Sequence, residues 1–310
     1  RLVTLNDYKA KVKEYYPNAD AVAVWGGEDN VPPEYGKVFL AIKPLNSDYL
    51  SESEKTNVKN NLNKLNMLTV RPEIVDAEIV KILLTTTFKY DERATTLSKG
   101  ELETVVTNAI SSYDSTNLTN FDAVFRHSNL VKSIDESDSS ILSNTTNVRL
   151  CKKMETKVGQ EIGYTNAFGN ALYNPTSGYN AAAGGILSST GFYSLGDTVN
   201  IHYFDDDGKG NLREYYLSGS TRIYTNSTAG TVDYSTGLIT INAINITSTV
   251  NVDSTIDFTV IPNGNDVVAT RGILIDIASD QIKVLGEVDT IASGESSAGV
   301  GFNSTSSSTY

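Results

Sequence analysis

The chain has 310 residues, enough for a substantial core and about two domains. With 39% hydrophobic and 20% charged residues it is foldable, and a formal charge of −12 argues against general affinity for nucleic acid or an anionic membrane. A single cysteine, Cys151, excludes an intrachain disulfide and fits assembly in a reducing compartment, while no apolar run approaches the roughly 18–20 residues that span a bilayer. The sequence starts at Arg1 without a methionine or signal peptide, as expected of a fragment or a processed product.

Thr4 and Asp7 predict the cap of a first helix, which Tyr16-Pro17 ends because proline disfavours helix in the residue before it. Residues 21–25 and 37–42 read as short buried strands flanking the loop WGGEDNVPPEYGK, residues 25–37. Ser51 and Glu54 open a second helix carrying Val58, Leu62 and Leu65 at helical spacing. Residues 73–90 form a run rich in Val, Ile and Thr, whose branched side chains suit strands. Another helix begins at Ser98, a weakly helical piece spans 121–134, and a strand near 141–150 closes this half. The expected fold is α+β, with helices on one face of a mainly antiparallel sheet over residues 1–158.

Beyond residue 160 the helix signal disappears. Val199, Ile201 and Tyr203 alternate with polar residues up to the turn DDDGKGN at 205–211, and the chain returns at 212–217. A second hairpin joins 231–234 to 238–241 through Ser235, Thr236 and Gly237, and strands follow at 256–261, 273–277 and 282–288. Residues 159–292 therefore read as a mostly β domain, and 293–310 as a Ser/Gly/Thr-rich tail that is flexible unless a partner orders it.

The loop at 25–37 invites a nucleotide reading that its residues do not sustain. A P-loop needs G-x-x-x-x-G-K-[ST]; here Val38 follows Gly36-Lys37, Val31 stands five before Gly36, and two prolines remove N–H donors. Gly26-Gly27-Glu28-Asp29 is similar to the GG[DE]EF hairpin of diguanylate cyclases, but Asp29-Asn30 replaces Glu-Phe and Pro32-Pro33 interrupts the return strand. The simpler reading is architectural: glycines that permit positive φ and prolines that stiffen the connection between paired strands.

Residues 205–211 fail the calcium-loop pattern, since Lys209 and Tyr216 stand where position five wants an acid and position twelve a glutamate; a solvated turn is expected. Only two histidines exist: His202 on the strand face opposite its apolar residues, hence solvent-facing, and His127 in a polar helical setting. Lys152, Lys153 and Lys157 read as a solvated strand end. No catalytic, cofactor or metal residue is assigned. The candidate packing and interface residues are Trp25, Gly26, Gly27, Pro32, Pro33, Tyr35 and Gly36, with the lone Trp25 a core or interface anchor.

Read with its flanks, the loop carries a resemblance. TLNDYKAKVKEYYPNADAVAVWGGEDN (4–30), VPPEYGKVFLAIKP (31–44) and the hairpin GTVDYSTGLITI (230–241) resemble the baseplate J-like family of contractile-tail phages. The chain is similar over nearly its whole length to the C-terminal part of that family's large wedge members, although the hairpin motif recurs in many phage tail proteins. The resemblance implies a non-enzymatic structural role in the virion tail baseplate, assembled in the bacterial cytoplasm and without cofactors. It also implies self-association as a homodimer or ring around the hub, contacts with other wedge proteins, and rearrangement before sheath contraction. Two further readings are a nucleotide enzyme using the GGED loop and a carbohydrate-binding adhesin.

Overall fold

The computed structural model describes all residues except 31–32, 46, 48, 68, 122, 178–184, 270–271 and 292–310. Pro32 and the tail at 293–310 therefore lie outside the described residues. Four helices fall in the first half: α1 (Leu5–Tyr15), α2 (Glu52–Asn63), α3 (Lys99–Asn117) and α4 (His127–Asp135). The strands among them are β1 (Ala19–Gly26), β2 (Lys37–Pro44), β3 (Arg71–Val75), β4 (Glu78–Tyr90), β5 (Val124–Phe125) and β6 (Ile141–Glu155). After them come β7 (Glu161–Ala167), β8 (Ser188–Ser189), β9 (Phe192–Ser194), β10 (Asp197–Asp206) and β11 (Asn211–Ser218). The remaining strands are β12 (Thr221–Asp233), β13 (Leu238–Thr249), β14 (Thr255–Val260), β15 (Val267–Val268), β16 (Ile273–Ile277) and β17 (Lys283–Val288). The chain is α+β, with its second half mostly β.

Two compact units form: Arg1–Lys81, Asn117–Phe125 and Leu150–Asp276 in one, and Ile82–Thr116, Arg126–Arg149 and Ile277–Tyr310 in the other. In the first unit, local chemistry sets the helix ends. Thr4 Oγ1 accepts the Asp7 N–H while the Asp7 carboxylate accepts the Thr4 N–H, a capping box that α2 repeats with Ser51 and Glu54. These bonds hold the Asp7 and Glu54 carboxyls below their usual range, through the Thr4 backbone and the Ser51 hydroxyl first.

β1 and β2 pair antiparallel, with Val22 opposite Ile42 and Val24 opposite Leu40. β2 and β3 run parallel, because α2 crosses over between them. One sheet face carries Val22, Val24, Leu40 and Ile42 against Tyr8 and Val12 of α1 and Val58 and Leu62 of α2. The other face is lined by Ala21, Ala23 and Ala41, small enough for Phe121 and Leu274 to pack close.

The β-rich part of this unit is built on a closed ring of five strands. β10 pairs with β11, β11 with β12, β12 with β13, β13 with β9 and β9 with β10, all antiparallel. Closure removes most free edges. Phe192 stacks on Phe204 with centroids 4.7 Å apart, and Phe204 on Phe258 at 5.8 Å. This core overturns one expectation. His202, Phe204 and Asp206 point inward, whereas Val199 is 84% exposed and Ile201 and Tyr203 are only half-buried. Because side chains alternate, the outward set begins with Val199, Ile201 and Tyr203, and His202 faces the interior and not solvent as expected.

In the second unit, α3 presents Leu102, Val106, Ile110 and Tyr113 to the interior, and α4 adds Leu130 and Ile134. The β4 residues Ile82, Leu84 and Phe88 are buried there too, and β17 runs parallel to the end of β4, Leu285 opposite Thr87. Two expectations change in detail. The run at 73–90 is two strands, separated at Asp76-Ala77, and only His127–Asp135 of the weakly helical piece is α-helix. Val124–Phe125 instead pairs with β15, inside the first unit.

The inverted face of β10 is directly testable. Phe204→Ala removes a fully buried ring and is expected to cost about 3–5 kcal/mol. Val199→Ala on the opposite face should stay within about 0.5 kcal/mol of the parent. Urea unfolding followed by fluorescence and circular dichroism checks both, and equal costs would contradict the assigned face.

Candidate interaction site

The loop between β1 and β2 opens with a 3-10 turn, Gly27–Asp29, anchored on one carbonyl. Gly27 O accepts the N–H of Asn30 at 3.2 Å and that of Glu34 at 2.7 Å. Gly27 is needed here for proximity, and neither it nor Gly26 takes the positive φ expected of the loop's glycines. A Cβ on Gly27 would overlap the Glu34 carbonyl oxygen and come within 3.2 Å of Lys37 O. At Gly26, where φ is −76°, the atoms nearest an added Cβ are the movable carboxylate end of Glu28. Among the described residues of this loop positive φ occurs at Gly36, where φ is +77° and the carbonyl accepts the Arg71 N–H at 2.9 Å.

Trp25 anchors the loop from within. Its ring stacks on Phe39 with centroids 5.9 Å apart, its Nε1–H donates to Asn30 Oδ1 at 2.8 Å, and Gly272 packs against its outer edge. Pro33 and Tyr35 sit on the surface, and Tyr35 is 81% exposed. Among the predicted residues the structure thus brings together Trp25, Gly26, Gly27 and Gly36 as one internally bonded connection. Tyr35 and Pro33 project from it, and Glu28 and Asp29 are exposed.

The hairpin DYSTG obeys the same logic. Asp233 Oδ1 accepts the Ser235 N–H at 2.9 Å and its hydroxyl at 2.6 Å, and Oδ2 accepts the Thr236 hydroxyl at 2.7 Å. The Ser235 and Thr236 hydroxyls first, then the Ser235 N–H, lower the Asp233 carboxyl to about 2. Gly237 takes φ +72°, and a side chain there would run into Asn170 O. A Cβ on Gly230 would likewise strike Thr240 O across the strand pair. The Tyr234 hydroxyl reaches in to Asp206 Oδ2 at 2.6 Å; burial first, then this acceptor, pushes its phenol well above the usual range.

Several charged groups expected in solvent are buried. Asp205 and Asp206 are 1% and 0% exposed. Asp205 accepts Arg213 Nε at 2.8 Å, Arg222 Nη1 at 2.5 Å and the Tyr224 hydroxyl at 2.9 Å, while Arg213 lies 4.3 Å over the Tyr224 ring. The turn itself is only 207–210. Lys152 is also buried, its ammonium held by Glu78 at 2.5 Å and Ala167 O at 2.6 Å, so it is not a solvated strand end.

His202 lies between two carboxylates, Nδ1 2.7 Å from Glu214 Oε1 and Nε2 3.3 Å from Asp197 Oδ2. Burial raises the Glu214 carboxyl while the imidazole pulls it back down; hydrogen bonds from Asn200 hold Asp197 far below the carboxylate range. His127 Nε2 instead contacts Thr146 O at 2.9 Å. Cys151 is buried, and burial raises its thiol, which suppresses the reactive thiolate. Among the described residues, no group of three or more His, Cys, Asp or Glu side chains is placed to hold a metal, and no helix is long and apolar enough to cross a membrane.

Two stretches of the first half match known protein families. Residues 4–75, from α1 through β3, match C-terminal domain I of the baseplate structural protein gp6, and residues 78–153, from β4 into β6, match its C-terminal domain III. The first half of the chain is thus similar, domain by domain, to the C-terminal part of the phage baseplate structural protein gp6. Among curated relatives, the chain is similar to the baseplate wedge protein gp6 of Enterobacteria phage T4, 24% identical over 155 residues. That match covers 50% of this chain and 23% of the relative.

Two predictions follow from the turns. Gly27→Ala must displace a backbone carbonyl and is expected to cost about 1–3 kcal/mol, whereas Gly26→Ala should cost about 0.5 kcal/mol or less, compared by thermal unfolding. Because the folded Asp233 carboxyl is depressed, its contribution is complete above the unfolded value of 3.8 and is lost as pH falls through about 2. Asp233→Ala should thus lower the melting temperature at neutral pH, and the gap to the parent should narrow toward about pH 2. A gap independent of pH would contradict this role.

Proposed function

We propose that the chain is a non-enzymatic structural component of a phage baseplate wedge, resident in the virion tail baseplate. It self-associates, contributes to a ring around the central hub, contacts other wedge proteins, and shifts with the baseplate before sheath contraction. The observation that carries this reading is the pair of gp6 domain matches laid end to end on α1 through β6. The loop once suspected of nucleotide chemistry supports it too, since its backbone donors at Asn30 and Glu34 are spent on Gly27 O and its tryptophan is spent on Phe39 and Asn30. Trp25, Gly26, Gly27 and Gly36 act as shape-holding residues in this reading, with Pro33 and Tyr35, at the surface of the same connection, and Pro32, adjacent to them in sequence, as contact candidates. Residues 1–158 supply the gp6-type α+β part, 159–292 a β-rich assembly part, and 293–310 a Ser/Gly/Thr-rich tail.

Sedimentation equilibrium over micromolar to high-micromolar concentrations tests the core of the proposal. A mass of two or more chains, rising with concentration, is expected. A one-chain mass throughout would overturn self-association.

A further inference from the structure

The chain contains one Asn-Gly pair, Asn263-Gly264, in the connection between β14 and β15. That connection is pinned at both ends. Tyr173 N–H donates to Ile261 O at 2.9 Å, Asn263 N–H donates to Ala171 O at 2.8 Å, and Leu172 bridges to Pro262. On the far side, Asn170 Oδ1 accepts the Val268 N–H and Asn170 Nδ2 donates to Val268 O, both at 3.1 Å. Residues 263–266 bend between these anchors and are exposed.

Among the described residues, neither the Asn263 carboxamide nor the Gly264 N–H has a hydrogen-bond partner. A Cβ on Gly264 would meet nothing within 4 Å, and its φ is not positive, so neither packing nor turn geometry calls for glycine there. The result is an unshielded backbone nitrogen beside a free side-chain amide. Comparable pairs elsewhere are restrained. The one Asp-Gly pair is Asp207-Gly208. Asp207 Oδ1 accepts the N–H groups of Lys209 at 2.7 Å and Asn211 at 3.0 Å, and its Oδ2 accepts Asn211 Nδ2 at 2.7 Å. Asn226, which precedes Ser227, has its Oδ1 on the Thr228 N–H at 3.0 Å.

We infer that Asn263 is a site of self-modification, converting to aspartate and isoaspartate in the folded chain. The Gly264 nitrogen gives up its proton to solvent and attacks Asn263 Cγ. The new C–N bond closes a cyclic imide as the Cγ–Nδ2 bond breaks and the nitrogen departs as ammonia. Water then opens the imide at either carbonyl, giving aspartate or an isoaspartate whose backbone runs through the former side chain. Nucleophile and electrophile sit on neighbouring residues, so proximity promotes the reaction without an added catalyst. Because the anchors on both sides of the bend stay in place, the fold need not open for it. Either product adds a negative charge to a chain of net charge −12, and isoaspartate lengthens the bend by a methylene next to the bond between Asn263 and Ala171.

The test incubates the full folded chain in mildly alkaline buffer and follows each asparagine by peptide mapping, with isoaspartate told from aspartate by fragmentation. Asn263 should convert first, to a mixture of both products, while the circular dichroism spectrum is unchanged and Asn226 and Asp207 lag behind. Gly264→Ala, which has open space for its methyl group, should melt with the parent and convert at Asn263 no faster than at Asn226. Asn263→Gln keeps an amide at the same position but must close a larger ring, and it should stay intact over the same period. Asn263 unchanged while Asn226 converts, or equal conversion in the parent and in Gly264→Ala, would overturn the assignment.

Discussion

Much of this molecule depends on backbone meeting backbone where a side chain would otherwise begin. At Gly27 the Glu34 carbonyl occupies the place of a Cβ, at Gly230 the Thr240 carbonyl does, and at Gly237 it is Asn170 O. Each close approach fixes a connection that positions larger pieces. The first sets the exit of β1 against the entry of β2 and so the register of Val22 with Ile42. The second draws β12 close to β13 within their own hairpin, and the third brings that hairpin against residues 168–172, where Phe168 N–H donates to Gly237 O and Leu172 N–H to Tyr234 O. Glycine costs entropy in the unfolded chain, and at these positions nothing larger fits.

Helices and most strands were legible because their signals are local. Thr4 with Asp7, Ser51 with Glu54 and Ser98 with Glu101 announce helix starts by residues three apart, and all three bonds form. The DYSTG turn was equally plain. What could not be read is whatever depends on a distant partner. Gly27 looked like a residue for positive φ, and nothing nearby discloses that the Glu34 carbonyl lies against it. β10 offered two alternating sets, and Val199 with Ile201 seemed the apolar one; Phe204 was the signal that the other set was buried, supported by Phe192 and Phe258 far away in sequence.

Buried charge was hidden for the same reason. Asp205 is stable inside because Arg213, Arg222 and Tyr224, eight to nineteen residues away, converge on it. Lys152 finds Glu78 across 74 positions. Removing one partner from such a set strands the other, so these contacts favour one specific arrangement of strands over slipped alternatives. Rigid internal joints of this kind fix the shape of the surface on which exposed Tyr35 lies.

The central claim is that the WGGED loop holds shape by itself and awaits no ligand. Amide hydrogen exchange at Asn30 and Glu34 measures this most directly, since both N–H groups are bonded to Gly27 O. The account predicts slow exchange in the chain alone, unchanged by adding GTP with magnesium. Exchange at the rate of an open chain, or protection that appears only with nucleotide, would contradict it.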